Sequence, residues 1–455
     1  MPKWETYLEE NRGRFTDELI DFLRIPSISA LPEYAGEVQR AAEWVADRLT
    51  AAGVEKAQVL ATGRHPVVYG EWLRAPGRPT VLIYGHFDVQ PADPLNLWTT
   101  PPFEPTIREG RIYARGASDM KGSLLQAIAA VEALLRTTGG LPVNLKFFCE
   151  GQEEIGSPQV LGFVGRKRDL LACDLILNAD SVQWSESEPA LLVGLRGICG
   201  LEVDVEGASR DLHSGLYGGA VANPLHALAE LVASLHTPEG KVAVAGFYDD
   251  VVTPSPEDRE EIAAVPFDEA AYKAEIGLDE LFGEPGYSTL ERVWARPTLD
   301  VNGLWGGFQG ENLKTVLARE GHAKISCRLV PNQDPAKIIE LIEAHLAKHA
   351  PKGVKVTPRR VEGMVGAYKI PADHPGNQAA RAVLREMYGR EPYYIRMGGS
   401  VPICEVFLRE LGAYAIPFGF GLDDERVHAP DEFYRLASFA KGQVAYCKIL
   451  ERLGA

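Results

Sequence analysis

Three short apolar runs, each ending on acids or a histidine, constrain this chain more than any other feature. Residues 80–85 (TVLIYG) lead into His86 and Asp88, residues 143–149 into Glu150, Gly151, Gln152, Glu153 and Glu154, and residues 174–178 (DLILN) into Asp180. A brief, nearly unbroken apolar run is what a strand buried on both faces requires, and such strands belong to parallel sheets covered by helices. Open α/β sheets place their ligands just past the carboxyl ends of the strands. Ionisable residues delivered there three times therefore predict one polar site rather than scattered surface charge.

The flanking segments fit that sheet. Residues 122–135 (GSLLQAIAAVEALL) read as an apolar helix, residues 4–23 as one or two helices and residues 35–52 as another, from apolar positions three and four apart. From about Arg196 the texture changes: residues 201–206 (LEVDVE) and 323–330 (AKISCRLV) alternate as half-exposed antiparallel strands do. Between them lie a helix candidate at 224–235 and a Pro-, Asp- and Glu-rich section at 253–286. A chain of 455 residues exceeds what one core ordinarily organises. The expectation is an α/β fold: a catalytic domain with a central, largely parallel sheet flanked by helices, built from residues 1–195 and 367–455, and an inserted α+β domain at 196–366. The last part should open with a helix over 377–388 and close with one over 434–450.

Composition excludes several function classes. With 63 acidic against 47 basic side chains the formal charge is -16, which opposes non-specific attraction to nucleic acid or anionic lipid. No stretch offers the roughly 20 apolar residues needed to cross a bilayer, and the first twenty residues are charged and amphipathic rather than leader-like. The six cysteines stand singly, without CxxC spacing, as reduced buried thiols do. A cytoplasmic enzyme with no nucleic-acid or membrane partner is expected.

The ionisable residues have the types a metal centre needs. His86 offers an imidazole suited to zinc, manganese or cobalt, and Asp88, two residues on, could accept the proton on its other nitrogen. Asp119 sits in a glycine-flanked turn (RGASDMKG), where a carboxylate could bridge two cations or simply cap the helix that follows. Of the adjacent pair Glu153 and Glu154, one could ligate while the other faces the cleft and moves a proton. With Asp180 and His428 the set reaches three carboxylates and two imidazoles. Three negative charges against four positive leave room for one hydroxide between two divalent ions.

The segments Gly85-His86-Phe87-Asp88-Val89-Gln90-Pro91, Arg115-Gly116-Ala117-Ser118-Asp119-Met120-Lys121-Gly122, Glu150-Gly151-Gln152-Glu153-Glu154-Ile155-Gly156-Ser157, Asp211-Leu212-His213-Ser214-Gly215, Arg328-Leu329-Val330-Pro331 and Gly398-Gly399-Ser400-Val401-Pro402, in this order, resemble the M20 metallopeptidase family, in particular its cytosolic non-specific dipeptidase and carnosinase-like branch. The resemblance covers nearly the whole chain. It implies cleavage of dipeptides or other short peptides by a metal-bridging hydroxide, with Glu153 as general base and then acid. His86 and Asp180 would hold one divalent ion, Glu154 and His428 the other, and Asp119 would bridge; zinc or manganese would serve, with cobalt as an alternative. Asp88 would orient His86. The inserted domain would act as lid and dimerisation module, so that His213 reaches the partner subunit's active site in a homodimer. Thr315, Arg328 and Ser400 would bind the substrate, the last two at its carboxylate end.

Two positions depart from the family pattern: Asp431-Glu432 stands where Asn-Glu is usual, and Met397 where glutamate is common. The same centre could instead remove an acyl group from N-acyl amino acids, and a peptide-binding scaffold without activity is the reading from outside enzymology. Gly-Gly-Ser-Val-Pro around Ser400 lacks the GxSxG elbow of a serine nucleophile.

Overall fold

In the computed structural model, which describes residues 2–455, the chain divides into two compact units. Residues 2–193, 370–395 and 402–455 form the first and residues 194–369 and 396–401 the second. The boundaries lie two or three residues from those expected, and Arg396 to Val401 group with the second unit rather than with the returning chain. The reason is local bonding: the Arg196 Nε donates to the Gly398 carbonyl, Ser400 Oγ donates to the Arg196 carbonyl, and Arg396 pairs with Asp258 and Glu261.

The first unit is built on a six-stranded sheet in the order Glu55–Leu60, Val67–Trp72, Asn144–Glu150, Thr80–His86, Leu175–Asn178, Ala415–Pro417. The last four strands run parallel, and the first two add an antiparallel edge. Thr80–His86 and Asn144–Glu150 are buried at every position after the first, which explains their largely apolar composition; the buried Lys146 is accommodated by donating to the Leu170 and Ala172 carbonyls. Helix Gly122–Thr138, buried from Gly122 through Leu134, packs against Leu436–Leu453 and Lys3–Glu10. The amino-terminal segment is two helices, Lys3–Glu10 and Arg12–Leu23. The closing helix begins at Leu436, later than expected, because Phe433–Arg435 is drawn into a strand against Arg111–Tyr113.

The second unit carries a four-stranded antiparallel sheet in the order Thr298–Gly306, Glu320–Leu329, Gly197–Glu206, Lys355–Arg360. Gly197–Glu206 alternates buried and half-buried positions along its whole length, and helices Pro224–Ser234 and Pro335–His349 cover the apolar face. Each helix starts with proline after a capping side chain, Asn223 or Asp334, that accepts amide protons of the first turn. The acidic section at 253–286 is not plain loop. It holds helices Pro256–Ala263 and Glu269–Ile276, hidden from periodicity because Ile262 is the only buried residue in the two.

Candidate metal centre

Parallel strands bring their carboxyl ends to one edge, so the sheet itself gathers the polar residues. His86 is in register with Glu150, and Tyr84 with both Phe148 and Asn178; the chain beyond these strands carries Asp88, Glu153, Glu154 and Asp180. Close packing at this edge explains two glycines. A Cβ on Gly85 would lie 2.9 Å from Met120 Cε, and one on Gly151 would lie 2.6 Å from the Phe87 ring. Asp180 is steered by Asn178, whose Oδ1 accepts the Asp180 amide at 2.9 Å.

Asp119 stands in the turn ahead of helix Gly122–Thr138, entered through Gly116 at φ 83°. Its carboxylate caps no helix. Instead Oδ1 lies 3.0 Å from His86 Nε2, and Oδ2 lies 3.0 Å from His428 Nε2. Two groups of ligand atoms result, His86 with Asp119 and Asp180, and Asp119 with Glu154 and His428, each with its atoms within 4.8 Å of one another. Asp119 belongs to both. His428 Nε2 also lies 3.0 Å from Glu154 Oε2, and its side chain, 52% exposed, is the open side of an otherwise enclosed cluster.

The donor set fits divalent cations. His86 Nδ1 lies 3.1 Å from the Asp88 carbonyl, which assigns the ring proton to Nδ1 and leaves a lone pair on Nε2. That nitrogen is buried, has no hydrogen bond of acceptable geometry, and faces the Asp119 carboxylate. A lone pair and a carboxylate oxygen at this separation repel unless a cation lies among them. The titration behaviour says the same. Burial pushes Asp180 up to about 7 and raises Glu154, while hydrogen bonds to Asp119 and Glu154 lift His428 to about 10. Burial works against charge on His86 and Asp119, yet the nearby Asp119 and Asp88 carboxylates raise the imidazole, and the two imidazoles beside Asp119 hold its carboxyl below the ordinary range. The raised groups express a demand for positive charge that protons alone would have to meet. The nitrogen and oxygen donors are those of zinc, manganese or cobalt.

Asp88 does something other than its position beside His86 predicts. The imidazole turns to the Asp88 backbone carbonyl, with the carboxylate further off at 3.5 Å. The fully buried carboxylate instead accepts two amides, Glu153 N on Oδ1 and Glu154 N on Oδ2, both at 3.1 Å. It fixes the backbone of the glutamate pair. Glu153 lies in neither ligand group, and burial raises its carboxyl well above the usual range, helped by the nearby charges of Asp180, Glu154 and Asp119. A carboxyl so placed holds a proton readily.

Three supporting residues have partners that the sequence does not reveal. Gln90 Nε2 donates to both the carbonyl and the Oε2 of Glu154 at 3.0 Å. The buried Glu432 binds the Asp119 turn. Asp431, where asparagine is usual, accepts the Thr99 amide on one oxygen and its hydroxyl on the other, at 2.8 and 2.7 Å, so the departure gives each donor its own charged acceptor. Gln90 and Glu432 lie within recognisable motifs, but their partners are distant or backbone atoms and leave no local signature.

The second unit brings the remaining candidates together in two pairs. Leu212–His213 pairs with Val316–Leu317, and the Ser214 amide donates to the Thr315 carbonyl, setting His213 and Thr315 side by side on an exposed rim. His213 Nδ1 accepts the Gly215 amide at 3.0 Å. Arg328 Nη1 donates to Ser400 Oγ at 3.0 Å. Arg196, not anticipated, stands close by, its guanidinium lowered to about 10 by burial and by the charge of Arg328. Neither arginine has a carboxylate within ion-pair distance among the described residues, in a chain with an excess of acids.

Comparison with known proteins agrees with this geometry. The chain is 30% identical over 473 residues to the Cys-Gly metallodipeptidase of Schizosaccharomyces pombe, covering 100% of this chain and 98% of that one. It is 30% identical over 452 residues to the Beta-Ala-His dipeptidase of Homo sapiens, covering 96% and 89%. Among solved structures it resembles the M20 family metallo-carboxypeptidase of Sulfolobus solfataricus, with TM-score 0.84, 32% identity and coverage of 97% and 99%. It also resembles human carnosine dipeptidase 1, with TM-score 0.78, 29% identity and coverage of 99% and 98%. The model of peptidase family M20/M25/M40 matches residues 82–452, a span that takes in every ligand candidate from His86 to His428, and the chain belongs to that family.

Proposed function

We propose that this protein is a dipeptidase, cleaving the peptide bond of dipeptides or other short peptides at a pair of divalent cations. The observation that carries the reading is Asp119, one carboxylate shared by two ligand groups. His86 and Asp180 would hold one cation, Glu154 and His428 the other, with Asp119 between them. Bound there, the cations would supply Lewis acidity, acidifying water and polarising the scissile carbonyl. Glu153 takes the proton of the attacking water and returns it to the departing amine, a role its proton affinity supports. Asp88 keeps Glu153 and Glu154 in place through their amides.

Arg328 and Ser400 grip the substrate's terminal carboxylate, for which a permanently charged guanidinium without an acidic partner is suited. The chain acts as a homodimer in which His213 reaches the partner subunit's site and stabilises the oxyanion, while Thr315 is a substrate contact from the inserted domain. Support comes from the second unit's surface. Thr298–Gly306 is an edge strand whose Leu304 and Trp305 are exposed, and Leu216, Phe308 and Leu313 are exposed as well, an apolar display that a lone subunit ordinarily avoids. Mixing His213→Ala and Glu153→Ala proteins should restore part of the activity; no rescue after verified subunit exchange would refute the shared site. Among the described residues no helix is long and apolar enough to cross a membrane, and the six cysteines are unpaired, which supports a reducing, cytoplasmic setting.

The test is a panel of dipeptides and N-acyl amino acids offered to metal-stripped protein reconstituted separately with zinc, manganese or cobalt. Hydrolysis of dipeptides well above the acylated compounds is expected. Preference for the acylated compounds would make the protein a deacylase, and no hydrolysis with any metal would refute the enzymatic reading.

A further inference from the structure

We propose that Glu432 is a positioning residue that sets the geometry of the metal pair by holding the Asp119 turn to the segment that carries His428. The proposal rests on the two-cation reading of the site. Glu432 is fully buried, and each carboxylate oxygen accepts two donors. Oε2 takes Arg115 Nη1 at 2.5 Å and the Gly116 amide at 3.0 Å; Oε1 takes the Ser118 amide at 3.0 Å and the Asp119 amide at 3.1 Å. Three of the four donors are backbone amides of the turn that presents Asp119.

The same side chain belongs to a segment tied down on its other side. His428 and Asp431 both have positive φ, 60° and 59°, so the chain between the ligand and Glu432 is tightly curled. Asp431 is anchored on Thr99, and the Glu432 carbonyl accepts the Ala114 amide at 3.1 Å. Strand Phe433–Arg435 then continues beside Arg111–Tyr113. Asp119 and His428 are far apart in sequence and contribute to the same ligand group, and Glu432 joins their two segments through backbone amides of the turn, one of them that of Asp119 itself. Arg115 pairs with Glu432 on Oε2, which offsets part of its charge in place.

The experiment uses metal-stripped full-length protein titrated with cobalt(II), read by calorimetry and by the visible absorption of the bound ion, with no substrate present. Glu432→Gln offers an NH2 group where two donors need an acceptor. Its cobalt dissociation constant should rise by about 10–100-fold, as loss of a group supporting metal ligands typically does, with a shifted absorption band. Glu425→Gln is the control for general loosening. Glu425 is equally buried and joins the same two segments through Ser118 Oγ, the Leu422 amide and Arg435, but it holds no amide of a ligand residue, so it separates a link between segments from the seating of Asp119 itself. It should lower the melting temperature and leave affinity and spectrum within about threefold of wild type, well inside the loss expected for Glu432. If Glu432→Gln alone does not fold, the pair Arg115→Met with Glu432→Gln removes the stranded charge and carries the same expectation.

Wild-type affinity and spectrum in the Glu432 variant would overturn the proposal and leave the dipeptidase reading standing. Equal losses in the Glu425 and Glu432 variants would also overturn it, by making the effect one of stability. Failure of the wild-type protein to bind a cobalt pair would overturn both readings.

Discussion

Replacing Asp88 by asparagine changes a few atoms and should disable the site in a measurable way. The carboxylate is fully buried and accepts the Glu153 and Glu154 amides on separate oxygens. Asparagine keeps one acceptor and turns an NH2 group on the other amide. One charge-assisted hydrogen bond is lost, worth about 1.5–3 kcal/mol, and at about 1.4 kcal/mol per factor of ten this is about 10–150-fold in whichever quantity depends on the displaced residue. If the Glu154 amide loses its acceptor, the loss falls on metal affinity. If the Glu153 amide does, metal content holds and kcat falls. Both should be measured on the same preparation, affinity by competition with a chromogenic chelator and kcat under saturating metal. The combined loss should reach at least about tenfold. A variant within about threefold of wild type in both would refute the bracing role, because the lower bound of one such bond is already larger.

Other perturbations separate the remaining roles. Glu153→Gln should lower kcat by about 10²–10⁴-fold, the usual range for loss of a general acid–base group, while metal content by mass spectrometry is unchanged; near-normal turnover would remove Glu153 from the chemistry. Converting the substrate's terminal carboxylate to an amide should cost about 10–150-fold in kcat/KM if Arg328 and Ser400 bind it through a charged hydrogen bond, and Arg328→Met should erase the difference; equal turnover of acid and amide by the wild-type protein would contradict the assignment. Away from the site, Glu132 is buried among Arg48, Arg14 and Tyr7. Burial pushes its carboxyl up, but Arg48, Tyr7 and Arg14 outweigh this and hold it below 4.5. Its contribution is therefore complete above that pH and lost as pH falls through the lower, folded-state value. Glu132→Gln leaves Arg48 paired with Glu18 alone and should cost about 1.5–3 kcal/mol near neutrality, the range of a lost charged hydrogen bond, while flattening the acid limb of stability; unchanged urea midpoints at both pH values would refute this.

How much was legible in the sequence depended on whether a residue's role is local. The strands Thr80–His86, Asn144–Glu150 and Leu175–Asn178 were readable because burial on both faces forces apolar runs, and their polar ends marked the edge where donor atoms gather. Residue type made His86, Asp119, Asp180, His428 and one of Glu153 and Glu154 candidates, and the family resemblance assigned the ligand role to Glu154. At Asp88 proximity along the chain showed only the neighbouring imidazole, and not the two amides more than sixty residues away that its carboxylate also serves. Glu432 and Gln90 were silent for the same reason, since a side chain that holds backbone need not match any particular side chain elsewhere. Arg196 looked like an ordinary strand-end arginine until Arg328 was placed beside it. The helices at 256–263 and 269–276 were missed because they bury too little to imprint a period.

The central claim is that two cations sit on either side of Asp119, and anomalous X-ray diffraction from crystals of manganese- or zinc-reconstituted protein tests it most directly. The account predicts two peaks per chain about 3.5–4 Å apart, one reached by His86 and Asp180 and the other by Glu154 and His428, with Asp119 touching both. A single peak, or none, at this position under saturating metal would contradict it.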